Sequence, residues 1–264
     1  MESGSGRAAH HVQSLERGLA VIKAFGAGTP QLTLSDVAKA TGLTRAAARR
    51  FLLTLADLGY VRSDGRYFGL TARVLELGYA FLSSLSLPEV VQPHLERLSA
   101  DVHESCSVSV LDGTDIVYVA RVAVSRIMTV SIDVGTRFPA HATSMGHVLL
   151  AGLDEDALSA YLNEAEFDRL THRTITSAPS LRAELDVVRE QGWALVDQEL
   201  EEGLRSVAAP IHDKDGKVVA AVNISTHASR TSPEEARTRL LPRLRETAER
   251  IEADLAVAPS ARVS

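Results

Sequence analysis

The chain contains one cysteine, Cys106, among 264 residues, and only 5% of its residues are aromatic. One thiol cannot form an internal disulfide or supply a cysteine-rich zinc site. No hydrophobic run approaches the roughly 20 residues that a membrane-spanning helix requires. The first residues, MESGSGRAAHH, are polar and lack the apolar core of a secretory signal peptide. We therefore expect a cytoplasmic protein with no membrane partner and a disordered arm over residues 1–11.

Positive charge is scarce overall but unevenly distributed. The chain has 28 Lys and Arg against 34 Asp and Glu, a net charge of −6. Residues 1–83 hold ten basic and six acidic residues, a net of +4, which leaves 18 basic and 28 acidic residues, a net of −10, for residues 84–264. This asymmetry indicates a basic module joined to an acidic one, so the total charge does not exclude a nucleic-acid partner.

The first 70 residues contain three helix patterns and a hairpin pattern. Helices are predicted over 14–25, 32–42 and 44–58, with Ser14, Ser35 and Thr44 as N-caps. The third helix carries a single apolar stripe from Ala48 to Leu58. Two strand-like runs then flank Asp64-Gly65, a strong hairpin signal. This order of elements predicts a winged helix-turn-helix over residues 12–70.

Arginines cluster on the third helix and on the hairpin. At about 100° per residue, Ala46, Arg49 and Arg50 point away from the apolar stripe. A solvated face is the commoner explanation for arginines on an isolated helix, but in a helix-turn-helix such groups reach base edges and phosphates. The residues expected to contact double-stranded DNA are Thr44, Arg45, Ala46, Arg49 and Arg50 on the helix, and Arg62 and Arg66 on the hairpin.

The rest of the chain alternates between helix and strand patterns. Segment 71–87 is predicted to be a helix that serves as a connector or contributes to a subunit contact, and a further helix is predicted from Pro93 to 104. Strands are predicted over 105–111, 115–122, 126–134, 193–197, 205–213 and 217–226, and helices over 142–153, 154–163, 180–192 and 232–256. This pattern predicts an α+β domain around a largely antiparallel sheet over 88–258, followed by a tail at 259–264.

Polar residues interrupt several apolar runs in this second region. Ser206, Asn223 and Ser225 lie inside apolar strand patterns, where either a bound ligand or tertiary hydrogen bonds would satisfy them. Thr143 and Ser144 begin a predicted helix, whose N-terminal N–H groups either hold an anion or are simply capped by the preceding loop.

Metal binding and catalysis receive little support from the sequence. The spacing of His103, His141 and His147 matches no standard zinc pattern, so neither a metal nor a cofactor is expected. Cys106 is interpreted as a strand residue, with a catalytic pair between it and His103 or His141 as the alternative. No nucleophile elbow, P-loop or dinucleotide-binding motif occurs, and we expect no enzyme.

Four blocks identify a family resemblance: SLERGLAVIKAF, LTRAAARRFLLTLADLGYV, FPAHATSMGHVLLAGL and VDQELEEGLRSVAAPI. In order and spacing, the chain resembles the IclR family of bacterial transcriptional regulators over about residues 13–256. The segment ARVAVSRIMTVSIDVGTRFPAHATSMG most resembles the PcaR/PcaU/PobR subgroup, which controls aromatic-acid catabolism through the β-ketoadipate pathway. The resemblance implies a dimerising linker helix, a GAF-like effector domain, and homodimers or homotetramers on palindromic operators.

The same resemblance implies an effector pocket beneath segment 141–147. Its lining, with Thr143 at the helix start, would be Ser144, Met145, Asp197, Ser206, Asn223 and Ser225. His147 stands where many members have Arg or Lys, and Met145 where the residue is often small. The expected effector is a small carboxylic acid: protocatechuate, β-ketoadipate or 4-hydroxybenzoate. The sequence thus predicts an effector-responsive DNA-binding regulator, with a regulator of another small-acid operon, or an enzyme acting on a small acid, as alternatives.

Overall fold

The structure, a computed structural model, describes residues 11–26, 29–77, 87–124 and 132–257. Its contacts divide the chain into two units, 1–81 and 82–264. The division falls inside the predicted linker helix, most of which lies outside the described residues, as do most of the predicted arm and the whole predicted tail. The predicted domain boundaries at 70/71 and 87/88 therefore stay predictions.

The described residues of the first unit form three α-helices, a small sheet and a 3-10 helix over Ala72–Leu75, at the start of the predicted linker helix. Its helices are α1 (Gln13–Lys23), α2 (Leu34–Thr41) and α3 (Arg45–Asp57), and its strands are β1 (Leu32–Thr33), β2 (Val61–Ser63) and β3 (Tyr67–Leu70). The strands pair antiparallel in the order β1-β3-β2. Strand β1 was missed in the sequence, because two residues are too few to show an alternating pattern. The helices bury a common core whose fully enclosed members are Val21, Val37, Ala48 and Leu52.

One of the three predicted N-caps in this unit is confirmed. The Thr44 hydroxyl accepts a hydrogen bond from the N–H of Ala47 at 3.2 Å. Helix α1 instead begins one residue before Ser14 without a side-chain cap. Helix α2 is capped by Thr33 rather than Ser35, because Asp36 accepts the Thr33 N–H and completes a reciprocal capping box.

The second unit is a six-stranded sheet with helices on both faces. The helices are α4 (Leu87–Val102), α5 (Ser144–Ala151), α6 (Glu155–Glu164), α7 (Ala178–Gln191), α8 (Pro233–Glu235) and α9 (Leu241–Val257), with a 3-10 turn at Ala140–Ala142 and a π-helical turn at Ala236–Leu240. The strands are β4 (Ser105–Asp112), β5 (Asp115–Val122), β6 (Arg137–Pro139), β7 (Ala194–Asp197), β8 (Leu204–His212) and β9 (Val218–His227). Every pairing in the order β6-β5-β4-β9-β8-β7 is antiparallel, which confirms the predicted α+β fold.

One predicted strand and the start of one predicted helix in this unit are not found as predicted in the described residues. The strand predicted over 126–134 lies mostly outside the described residues, and its last three residues are not in a strand. The helix predicted to start at Pro93 starts at Leu87 and runs through the proline. It continues because Leu87, Val91 and Leu95 recur on one buried face, and packing of that face outweighs the one backbone hydrogen bond that proline removes.

The two faces of the sheet have different chemical characters. Successive side chains of a strand point to opposite faces. Along β8, Val207, Ala209 and Ile211 belong to the apolar core shared with α4 and α9. Ala208 belongs to the core on the other face, which is shared with α5, α6 and α7. Ser206 alternates with Val207 and so lies on the α5 face. That face therefore carries small and polar residues.

Gly146 lets α5 approach the turn that precedes it. A Cβ atom at this position would lie far inside van der Waals contact with the backbone of Ala140, including its carbonyl oxygen. Backbone atoms at that distance cannot rotate aside as a flexible side chain would. The position of α5 over the sheet thus depends on glycine in its first turn.

Substitution Gly146→Ala is expected to destabilise the second unit by about 3 kcal/mol, because overpacking against backbone forces the helix to shift. Differential scanning calorimetry of the full chain would measure this as a lowered transition temperature. Gly18→Ala in α1 is the matched control, since its Cβ meets only the Phe51 ring at 3.9 Å. The control should be neutral or stabilising by up to about 1 kcal/mol. An unchanged transition for Gly146→Ala would contradict the close approach.

Candidate functional sites

The outer face of α3 is strongly basic. Arg45, Ala46, Arg49 and Arg50 are exposed, while Ala48, Leu52 and Leu55 on the opposite side are buried in the core. Gly42, with a φ of 66°, makes the left-handed turn that separates α3 from α2. The helix-turn-helix thus presents the N-terminal half of α3 to solvent, with three guanidinium groups along it.

The β2–β3 hairpin adds two further arginines. The Asp64 carboxylate accepts hydrogen bonds from the N–H groups of Arg66 and Tyr67, at 2.9 and 2.7 Å, and Gly65 has a φ of 96°. These bonds fix the hairpin tip and lower the pKa of Asp64. Arg62 and Arg66 are exposed, and the Arg66 guanidinium lies 5.2 Å from the centre of the Tyr67 ring.

The five arginines on α3 and the hairpin retain their full charge. Among the described residues, none of Arg45, Arg49, Arg50, Arg62 and Arg66 forms an ion pair. Some exposed arginines elsewhere pair with carboxylates, as Arg137 does with Asp112 at 2.5 Å. An unneutralised basic surface on a helix-turn-helix is suited to bind a polyanion.

A buried polar layer lies between α5 and the sheet of the second unit. The Ser144 and Ser206 hydroxyls are 2.8 Å apart, and both side chains are buried. The Asn223 amide donates to the Ser225 hydroxyl at 3.1 Å, also in a buried setting. Ser206 and Ser225 face each other on neighbouring strands. The structure thus brings these four residues, all predicted from the sequence, into one layer.

Met145 belongs to the same layer. Its side chain is 1% exposed, and its sulfur accepts a hydrogen bond from the Ser109 hydroxyl on β4 at 3.3 Å. Thr143 is buried beside it, but its hydroxyl caps α5 by accepting the N–H of Gly146 at 3.0 Å. Capping accounts for Thr143 without a ligand.

Asp197 is not brought together with the other predicted pocket residues. It pairs with Arg205 across β7 and β8, whereas Val196 pairs with Ser206. Alternation along the strands therefore places Asp197 and Arg205 on the face opposite Ser206. The Asp197 carboxylate is 2.7 Å from the buried guanidinium of Arg205 and also contacts that of Arg173. These two ion pairs account for the acid as a structural group.

Sequence reasoning missed the residues that β4 and β5 contribute to the polar layer. Cys106, Val108 and Val110 belong to the core on the α4 face, so the alternating Ser105, Ser107 and Ser109 lie on the α5 face. All three serines are fully buried. Arg121 on β5 donates to the Ser107 hydroxyl at 3.0 Å. The signal was available, because SCSVSV places serine at every second position of a strand.

Several buried polar atoms in this region lack a hydrogen-bond partner among the described residues. They include Nε of Arg121, Oδ1 of Asn223 and Nδ1 of His147. Most buried polar groups in proteins are satisfied, so the unsatisfied atoms of Arg121 and Asn223, on either side of Ser107, indicate a place for water or a ligand.

Burial keeps two titratable groups of the second unit, His147 and Cys106, uncharged at neutral pH. His147 is fully buried and donates from Nε2 to the His141 carbonyl at 2.7 Å. Burial lowers the pKa of His147 to about 4. Burial raises the pKa of the Cys106 thiol to about 12, and its sulfur faces the Glu104 carbonyl at 3.5 Å. A thiol with such a pKa cannot serve as a nucleophile at neutral pH, which removes the support for a catalytic pair.

Two further site types are absent from the parts of the chain that the structure describes. No group of three or more His, Cys, Asp or Glu side chains there is arranged to hold a metal ion. Within the same ranges, no helix is both long and apolar enough to cross a lipid bilayer.

Two regions of the chain match domain models of a single protein family. Residues 14–65 match the model of the IclR helix-turn-helix domain, and residues 79–253 match that of the bacterial transcriptional regulator IclR C-terminal domain. The chain is 48% identical over 230 residues to the Pca regulon regulatory protein of Pseudomonas putida, an alignment that covers 87% of this chain and 79% of that protein.

Two solved structures are similar over most of their length. One, a candidate transcriptional regulator from Rhodococcus sp. RHA1, is 64% identical with a TM-score of 0.83, over 94% of this chain and 99% of that one. The other is an IclR homologue from Microbacterium hydrocarbonoxydans in complex with 4-hydroxybenzoate. It is 26% identical with a TM-score of 0.81, over 92% of this chain and 98% of that one.

His147→Gln is expected to remove a pH dependence of stability. The unfolded imidazole takes up a proton near pH 6.5, but burial delays protonation of the folded one to about pH 4. The unchanged chain therefore loses stability as the pH falls through this window, by up to about 3 kcal/mol. Glutamine does not titrate, so the variant should gain stability relative to the unchanged chain between pH 7.5 and pH 4.5, measured by urea unfolding.

The contribution of His147 to this pH dependence can be separated from that of the other titratable groups. Burial raises the pKa of Glu199 to about 7, which acts in the opposite direction but equally in both proteins. His172→Gln replaces an exposed imidazole, 3.4 Å from Glu202, and serves as the control. Equal pH slopes for His147→Gln and the control would contradict a neutral, buried His147.

Proposed function

We propose that this chain, which belongs to the IclR family of bacterial transcriptional regulators, controls genes of aromatic-acid catabolism in response to a small carboxylic acid bound in its second unit. The observation that carries the proposal is the buried polar layer facing the first turn of α5. An apolar core does not require so many buried hydroxyl and amide groups, and among the described residues the amide oxygen of Asn223 and Nε of Arg121 have no hydrogen-bond partner. Such a layer is suited to a small polar ligand.

The DNA contact is assigned to α3 and the hairpin. A recognition helix lies in the major groove with its N-terminal residues near base edges, which corresponds to Thr44, Arg45, Ala46, Arg49 and Arg50. Arg62 and Arg66 on the hairpin would then contact the backbone or the minor groove. Their exposure and lack of ion pairs among the described residues support this role.

The regulator would act as a homodimer or homotetramer on a palindromic operator in the cytoplasm. Two symmetry-related copies of α3 would enter successive major grooves. The effector would act by binding one subunit arrangement more tightly than another, since a ligand shifts an equilibrium only through such a difference in affinity.

The effector is assigned to the acids of the β-ketoadipate pathway: protocatechuate, β-ketoadipate or 4-hydroxybenzoate. Two relatives support the assignment, because one is a Pca regulon regulatory protein and the other was solved with 4-hydroxybenzoate. The second unit is acidic, and the DNA contact is assigned to the first unit. The second unit is therefore assigned to ligand binding.

The double substitution Arg49→Ala with Arg50→Ala is expected to abolish most of the specific DNA affinity. The probe is a fragment enriched from random-sequence DNA by the full-length chain. Removal of two guanidinium groups from the interface should weaken binding by at least about 30-fold. The slope of log K against log salt should also become shallower, by about 0.9 for each phosphate that is no longer neutralised. Fluorescence anisotropy at several salt concentrations would measure both quantities.

Arg237→Ala with Arg239→Ala is the matched control, because it removes the same charge from exposed positions in the second unit. The control should retain affinity. Equal losses in the two double variants would show that net charge alone, and not α3, governs binding.

A thermal-shift scan tests the effector. The full chain is heated with 4-hydroxybenzoate, protocatechuate, β-ketoadipate, pyruvate or glyoxylate, each at about 1 mM. An acid present at 100 times its dissociation constant adds about 2.7 kcal/mol of stability, a readily visible shift. We expect a shift with an acid of the aromatic pathway. A shift with pyruvate or glyoxylate alone would leave the regulator in another small-acid pathway, and no shift with any acid would contradict the effector class.

A further inference from the structure

We propose that Arg121 is the charged anchor of the effector site and that its guanidinium holds the carboxylate of the acid beside Ser107, in a row of side chains whose far end is Asn223. The inference rests on the proposed function, because it requires an acid effector in the buried polar layer. It adds the residue that receives the acid group, on a strand where sequence reasoning placed no pocket residue.

Strand register places the three residues in one row. Ser107 on β4 faces Arg121 on β5 and, on its other side, Asn223 on β9. Neighbouring strands lie about 4.8 Å apart, so the row spans about 10 Å. Arg121 already donates from Nη1 to the Ser107 hydroxyl at 3.0 Å. The guanidinium is therefore directed along the row, on the α5 face.

Among the described residues Arg121 forms no ion pair, unlike Arg137 and Arg205 of the same sheet. Arg137, an exposed residue at the end of the sheet, contacts the carboxylates of both Asp112 and Asp115. Arg205 is buried and contacts that of Asp197. Arg121 is half-buried, yet among the described residues its side chain bonds only a serine hydroxyl, and its Nε has no partner.

A partly buried cation without an anion is an unfavourable arrangement in a folded protein. Burial lowers the pKa of Arg121, which reflects the same desolvation. The guanidinium nevertheless keeps its charge at neutral pH, since arginine is not deprotonated in proteins. A carboxylate from outside the chain would supply both the counter-charge and the missing hydrogen bond on Nε.

The first turn of α5 closes the same space from above. Ser144 contacts Ser206 on β8 and Met145 contacts Ser109 on β4, so the start of the helix crosses the strands between them. The first N–H groups of a helix have no intrahelical acceptor, and the dipole there is positive. His147 in the next turn is neutral at pH 7 and adds no competing charge. Both walls of the space therefore favour an anion.

The test compares an acid with its neutral isostere. Isothermal titration of the full chain with 4-hydroxybenzoate and with 4-hydroxybenzamide measures the preference for the carboxylate. A charge-assisted pair contributes enough for the unchanged chain to prefer the acid by roughly 10- to 100-fold. In Arg121→Gln this preference should vanish through loss of affinity for the acid, while affinity for the amide changes little. Retained amide binding would also show that the variant pocket is folded.

Two further variants complete the experiment. Arg121→Lys keeps the charge and should keep a preference for the acid of at least about tenfold; it also provides the test if the glutamine variant does not fold. Arg250→Gln removes a positive charge from α9, on the opposite face of the sheet, and should leave the preference unchanged.

The outcomes separate this inference from the proposed function. If the unchanged chain binds the acid and the amide equally, or if Arg121→Gln keeps the full preference, the anchor is wrong while the regulator and its effector stand. If Arg121→Lys prefers the amide, the anchor is wrong for the same reason. If the unchanged chain binds neither compound, 4-hydroxybenzoate is not an effector and the anchor fails together with that assignment.

Discussion

The second unit depends on the need to satisfy polar groups that are buried between α5 and the sheet. Hydroxyl and amide groups removed from water destabilise the fold unless they find partners. Ser144 and Ser206 satisfy each other, and Asn223 bonds Ser225. These contacts require α5 to lie close to the strands, which Gly146 permits because it has no side chain to collide with Ala140. The same closeness encloses the space in which atoms of Arg121 and Asn223 remain unsatisfied.

The face of the sheet that packs on α4 and α9 is built on the opposite principle. Its strand residues are almost all aliphatic, and the helices cover them with aliphatic side chains. Burial of these side chains stabilises the unit without any contribution from polar strand residues. Asp197 and Arg205 form a largely buried ion pair at the margin of this face. This ion pair explains the position of both residues without any ligand. Both faces of the sheet thus contribute a hydrophobic core, but only the α5 face also holds a buried polar layer.

The basic first unit and the acidic second unit are suited to different ligands. A polyanion requires a concentrated basic surface, which α3 and the hairpin provide with five arginines that form no ion pair among the described residues. The ligand site proposed for the second unit lies inside the fold, where a few placed groups matter more than net charge. A strongly acidic second unit and a DNA-binding first unit are therefore compatible, although the total charge taken alone argues against DNA.

The sequence by itself determined the elements that depend on local chemistry. The cap at Thr44, the turn at Gly42, the hairpin at Asp64-Gly65 and the antiparallel strands all follow from signals a few residues long. The helix predicted from Pro93 to 104 was placed too late in the chain, because its extension to Leu87 depends on packing of a face that spans the proline.

Only the tertiary structure decided which polar residues share a pocket. Whether a strand residue faces α5 or α4 depends on strand register and on a bulge between β4 and β5, and neither is encoded within a single strand. That distinction separated Asp197 from Ser206 and brought Arg121 beside Ser107, residues that are 14 positions apart in the chain. Local patterns set the strands, whereas the pairing of distant strands set the chemistry of the site.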